Sequence, residues 1–162
     1  MKPEYQEETS QKAQVIKVRA HHLLCMQGFQ GYGYSKEFSD NLADVIRAID
    51  THPDILLKIV NYCDDICSCC PHNIDGVCQR DPDSGYRILE MDMKVLEKLG
   101  LSEGETTGAG GILTRTDETL SRVSDVRNIC GSCNWKNKCC WFTSRENNSI
   151  DAEPHDNIPI DQ

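Results

Sequence analysis

The chain has 162 residues, of which 26 are acidic against 17 Lys and Arg, for a formal net charge of −9. So acidic a chain, with no basic patch, disfavours nucleic acid or an anionic membrane as partner. No apolar run approaches the roughly 18 residues of a membrane span, and the opening MKPEYQEETSQKAQ is polar with no apolar run behind it. The expectation is one cytoplasmic domain, long enough to bury its own core.

In chain order, residues 1–14 read as a disordered tail, the ordered domain as 15–143, and the acidic segment 144–162 as a second disordered tail. Val15, Ile16 and Val18 form a short β-branched run, and so do Ile55, Leu56, Leu57, Ile59 and Val60 after Pro53, which predicts a small two-stranded sheet. Between them, Ala20 to Gln27 suits a short helix, and GFQGYGY (residues 28–34) a tight loop packed by aromatic rings. Ser35 is placed to N-cap a helix through Ile49, because Phe38, Leu42, Val45, Ile46 and Ile49 recur on one stripe. Leu89, Met93, Leu96 and Leu99 repeat that pattern before Gly100, a natural left-handed terminus. The glycines at 104, 108, 110 and 111 read as a mobile connection, since no phosphate-loop Lys follows them. A third helix is expected to begin after Thr116, with Asp117 and Glu118 near its positive end and Leu120 and Val123 inward. The fold class is thus α+β and mainly helical, a small single domain with cysteine-rich loops.

Those loops carry the chemistry. Of ten cysteines, six fall into two echoing clusters: Cys67, Cys70 and Cys78 as C-x2-C-x7-C, and Cys130, Cys133 and Cys139 as C-x2-C-x5-C. A C-x2-C pair lets two thiolates in one turn converge on a single ion or cluster, and a third nearby cysteine can close the same pocket. Cytoplasmic thiols are kept reduced, so metal ligation outranks a disulfide framework. Zinc needs only four ligands, and six cysteines at motif spacing exceed that. Together with the Cys70-Pro71 pair, this favours an iron–sulfur cluster, preferably four-iron, with electron transfer or redox sensing as its use. The alternative is a zinc-stapled interaction module without redox chemistry. Cys63, Cys69 and Cys140 fall off the pattern and read as ordinary thiols.

A second motif is Arg19-Ala20-His21-His22-Leu23-Leu24-Cys25. In a helix, His22 and His21 lie three and four residues from Cys25 on a shared face. They could therefore assist metal binding, or activate Cys25 as the nucleophile of a Cys–His enzyme, or simply be a satisfied core pair. No other catalytic motif is present, and the sequence names no redox or protein partner.

Taken together, RAHHLLC, GFQGYGYSKEF, DDICSCCP with Cys78, and ICGSCNWKNKC resemble a family of small bacterial and archaeal proteins called domain of unknown function 1284. The resemblance runs from Arg19 to Cys139. It implies a cytoplasmic protein for which iron–sulfur binding has been suggested, and it carries over His21, His22, Cys25 and the six clustered cysteines. This chain departs by its extra cysteines at 63, 69 and 140 and by its acidic tail.

Overall fold

A computed structural model describes residues 13–150 of the chain. The expected tails at 1–12 and 151–162 lie outside the described residues.

The expected sheet forms with one strand more. In β1 (Val15–Arg19) the inward positions Ile16 and Val18 alternate with exposed Val15 and Lys17, the period of a half-buried strand. It pairs in parallel with β2 (Leu56–Val60), Val18 opposite Ile59, so the two expected strands are neighbours. Parallel neighbours need a crossover, and here it consists of α1 (His22–Gly28) and α2 (Lys36–Thr51). α2 follows the expected stripe, burying Phe38, Leu42, Val45 and Ile49, and the Ser35 hydroxyl accepts from Phe38 N–H at 3.1 Å. The additional strand, β5 (Thr106–Gly108), runs antiparallel along the free edge of β2.

That strand corrects the reading of the glycines as a mobile connection. Gly104 takes a positive φ of 80° and its N–H donates to Ile59 C=O at 2.7 Å, which turns the chain onto β2. Gly108 pairs with Leu56, and Gly110 and Gly111 lie inside α4 (Ala109–Thr119). A second small sheet was not expected at all. β3 (Asn73–Ile74) and β4 (Val77–Cys78) form a hairpin whose two-residue turn, Asp75-Gly76, has both φ values positive. Asp-Gly between short apolar runs is the strongest local signal for such a turn.

Two helices also need correction. In α3 (Ser84–Leu99) the period is as expected, with Gly100 left-handed at φ 59°, but the phase is turned. Leu89 and Met93 are 38% and 50% exposed, while Asp92, Val95, Leu96 and Leu99 face inward. An acid takes the inward place because the site described below needs it. The expected third helix divides in two. Thr116 lies inside α4, its hydroxyl donating to Ile112 C=O at 2.7 Å, so Asp117 and Glu118 sit in a last turn rather than a first. Leu120, fully buried, ends that run, and α5 (Val123–Cys130) begins after it, with Val123 only partly buried.

The ordered domain also extends past residue 143. The helix α6 (Cys140–Ile150) inserts Trp141 and Phe142 into the core. Arg145 then stacks on the Trp141 ring at 3.6 Å and its Nε donates to Leu120 C=O at 2.8 Å. These contacts outweigh the polar composition that suggested a tail from Ser144 onward. The core unites the inner face of the sheet (Ile16, Val18, Leu57, Ile59) with all of α1 to α6. Among the described residues no helix is long and apolar enough to cross a membrane.

Leu57 is fully buried at the centre of this core, so Leu57→Ala should cost about 2–5 kcal/mol. Loss of the Ser35 cap in Ser35→Ala should cost about 1 kcal/mol. Tyr86→Ala on the exposed face of α3 should change stability by less than about 0.5 kcal/mol. Urea denaturation of the three variants checks the order.

Candidate metal centre

Where β1 runs out, five charged or titratable side chains meet below solvent reach: Arg19, His21 and His22 along the short β1–α1 link, and two buried acids from elsewhere, Asp64 and Asp92. Buried carboxylates persist only when their oxygens are bonded and their charge is met. Asp92, from α3, accepts Arg19 Nε at 2.8 Å on one oxygen, and His21 N–H at 3.0 Å and His21 Nδ1 at 2.7 Å on the other. Asp64, just after β2, accepts Arg19 N–H at 2.6 Å, His22 Nδ1 at 2.7 Å and, through its second oxygen, Cys67 N–H at 2.8 Å. One carboxylate thereby joins the end of β1, the start of α1 and the first cysteine turn.

The electrostatics follow from this arrangement. Burial alone would raise the Asp64 carboxyl, yet the His22 ring and the Arg19 and Cys67 N–H groups outweigh it and hold Asp64 well below the usual carboxylate range. Burial likewise opposes Asp92, and His21 with Arg19 brings it down. His21 shifts the other way from an ion-paired imidazole: burial dominates and lowers its pKa, so the ring is neutral near pH 7. Its Nδ1 hydrogen then belongs to the Asp92 bond, and Nε2 carries a lone pair. Both rings line the central cavity, 4.3 Å apart between centroids. A carboxylate holding Nδ1 fixes a ring's orientation and leaves Nε2 free, as is usual for a metal-ligating imidazole.

That cavity, of about 150 Å³, is where the two cysteine clusters meet. All six clustered cysteines line it, together with Cys25, His21 and His22, so every candidate ligand read from the sequence reaches one space. All ten cysteines are free, and Cys69 and Cys140 are exposed. The two C-x2-C segments close in the same way: Cys70 N–H donates to Cys67 C=O, and Cys133 N–H to Cys130 C=O, each at 2.9 Å. Backbone N–H groups also point at sulfur. Trp135 N–H lies 3.4 Å from Cys133 Sγ, those of His72 and Asn73 serve Cys70, and those of Trp141 and Phe142 serve Cys139. Such donors offset thiolate charge. Cys139 gains further from its place immediately before α6, whose N-terminus is electropositive.

The loops are braced by aromatic rings. Tyr34 packs edge-on against His72 of the first cluster at 5.0 Å and against Trp135 of the second at 5.3 Å, and Arg80 Nη1 donates to its hydroxyl at 2.9 Å. The Gly/Tyr loop is therefore the strap between the two clusters, and Trp135 is part of the cavity's wall. Trp141 belongs to the core, with its indole N–H donating to Asp117 at 3.1 Å. Gly28 allows α1 and α6 to touch, since a Cβ there would fall 2.1 Å from Cys139 Sγ.

The surroundings of Cys25 run against its activation as the nucleophile of a Cys–His enzyme. Burial first, then the neighbouring thiols of Cys133, Cys130 and Cys139, push its pKa well above the ordinary thiol value, whereas a reactive cysteine has it lowered. The sequence reading missed Arg19, Asp64 and Asp92. Asp92 could have been found, because it lies one turn before Val95 and Leu96 and two before Leu99 on the inward side of its helix.

Replacing Asp64 strands His22, Arg19 N–H and Cys67 N–H in the interior, so Asp64→Ala should cost about 3–5 kcal/mol. Asp44→Ala, which breaks only the exposed pair with Arg47, should cost less than about 1 kcal/mol. Chemical denaturation of the two variants measures the contrast.

Among curated proteins and solved structures none matches the chain significantly. A family model described as a protein of unknown function (DUF1284) matches residues 33–139, a span that holds the Tyr34 strap and both C-x2-C segments, and the chain belongs to that family.

Proposed function

We propose that this protein binds an iron–sulfur cluster in the cysteine-lined cavity and uses it in electron transfer or redox sensing. The observation that carries this reading is the convergence of seven partly buried free thiols, from segments about sixty residues apart, on a single cavity. Burying that many unpaired thiols with backbone N–H groups aimed at their sulfurs suits thiolates around a metal.

When bound, such a cluster supplies one-electron exchange. The surrounding residues tune it. Tyr34 and Trp135 exclude water from one side, the backbone N–H groups at Cys70, Cys133 and Cys139 stabilise negative charge on sulfur, and Arg19 brings a buried cation near Cys67 and Cys63. Against these, the net charge of −9 disfavours an added electron and favours a low potential.

A zinc site is the second reading, and the His22, Asp64 and Cys67 trio favours it. One fact weighs against that trio: one Asp64 oxygen already takes both Arg19 N–H and His22 Nδ1. Anaerobic purification tests the two readings. The cluster predicts brown protein with iron and acid-labile sulfide in equal amounts, and loss of colour together with a lowered melting temperature on treatment with chelator. Colourless protein with stoichiometric zinc would sink it.

A further inference from the structure

The chain carries 26 Asp and Glu against 17 Lys and Arg, yet the lining of the central cavity reverses that balance. Arg19, Arg80, Arg87, Lys136 and Lys138 line it, and no Asp or Glu does. A concave surface of one charge sign focuses the field and draws ions of the other sign. Arg19 belongs to the inner wall, buried against Asp92. The other four stand on the solvent side, where the lining includes Tyr32, 51% exposed, and the exposed Lys138. Cations placed only to neutralise thiolates would sit inward, as Arg19 does.

The four outer cations come from both cysteine segments. Arg80 follows Cys78, and Arg87 lies near the start of α3, while Lys136 and Lys138 belong to one 3₁₀ turn between Cys133 and Cys139. Tyr34 joins the two lips, because its hydroxyl accepts from Arg80 Nη1 at 2.9 Å and its ring packs against Trp135, the residue before Lys136. Arg80 and Arg87 share a single carboxylate, Asp81, which leaves that lip one positive charge in surplus. On the other lip, Lys136 Nζ donates to Gly131 C=O at 2.7 Å, and Lys138 Nζ stands 4.3 Å from the centre of the Tyr32 ring. Among the described residues neither lysine has a carboxylate partner. An ammonium has three donors, so Lys136 keeps some to spare. The mouth of the cavity is thus electropositive on both sides in a chain of net charge −9.

We propose that this mouth is a binding site for one small polyanion, a multiply charged phosphate or carboxylate compound, held between Arg80 and Arg87 on one lip and Lys136 and Lys138 on the other. Charge-assisted hydrogen bonds from both lips fix it beside Tyr34. None of the four residues is a candidate metal ligand, so the site stands apart from whichever metal the thiols take. With a cluster inside, the bound anion is the species next to the redox centre.

Two readouts on the full-length protein as isolated test it. The first is limited acetylation of lysines by acetic anhydride, mapped by mass spectrometry with and without pyrophosphate or citrate at matched ionic strength. Lys136 and Lys138 should be protected at least about fivefold at saturation. Lys36, exposed on α2, should not be protected. This readout uses the unmutated chain and depends on no variant folding. The second is calorimetric titration with pyrophosphate, citrate and poly-L-glutamate. A small anion should bind once per chain with a Kd below about 1 mM, and more weakly as salt screens the charges. The double variant Lys136→Gln/Lys138→Gln should weaken binding at least about tenfold and keep the metal content of the wild type. Lys36→Gln should change neither. Binding of pyrophosphate alone assigns the phosphate class and of citrate alone the carboxylate class, and either upholds the site. Equal lysine reactivity with and without both anions overturns it, as does weak binding at many places that the double variant leaves unchanged. Binding of poly-L-glutamate but of neither small anion overturns the small ligand in favour of an acidic protein surface. Loss of metal together with anion binding in the double variant overturns the separation of this site from the metal centre. Protein isolated without metal that still binds an anion through these lysines upholds the site and overturns the cluster alone.

Discussion

Two buried carboxylates govern the arrangement of this protein. Asp64 and Asp92 are both closed off from solvent, and each could be buried only by meeting several donors at once. Their partners come from the end of β1, the start of α1 and the first cysteine turn, so satisfying two charges fixes the relative places of four segments. Arg19 is the shared counterion, its backbone on one acid and its guanidinium on the other. A hydrophobic core would hold the sheet and helices together without specifying how their polar ends meet. The acids supply that specification, and the cysteine-lined cavity lies directly beside it.

On this foundation the two cysteine segments are built alike and held differently. Both close with the same N–H to C=O bond across C-x2-C. The first is anchored by Asp64 and continues into a hairpin, whereas the second is pinned between the end of α5 and the start of α6. Tyr34 spans the two with one ring. A metal bound between such loops would stabilise the fold as well as use it. Structural zinc in small peptides contributes about 10–16 kcal/mol, as much as a whole domain's net stability of about 5–15 kcal/mol.

Much of the architecture was legible in the sequence because it follows local rules. The β-branched runs of β1 and β2, the Ser35 cap, the stripe of α2 and the left-handed Gly100 all declare themselves within a few residues. What escaped depends on distant partners. β5 is too short and glycine-rich to announce a strand, and it becomes one because the free edge of β2 offers hydrogen bonds. The turned phase of α3 makes sense only once Asp92 has Arg19 and His21 to meet. α6 reads as a polar tail until Trp141 and Phe142 find the core and Arg145 finds Leu120. The Asp75-Gly76 hairpin is the exception, because its Asp-Gly signal is local. Spacing alone singled out the six cysteines that line the cavity, while the carboxylates behind His21 and His22 could not be seen without the fold.

The claim that most needs testing is that the cavity holds iron and sulfide rather than a lone ion. Iron-edge X-ray absorption on anaerobically isolated full-length protein tests it most directly. The proposed cluster predicts iron surrounded by sulfur alone, together with a short iron–iron distance from within the cluster. Iron at background level, with zinc present in a single shell at about 2.3 Å and no metal–metal scattering, would contradict it.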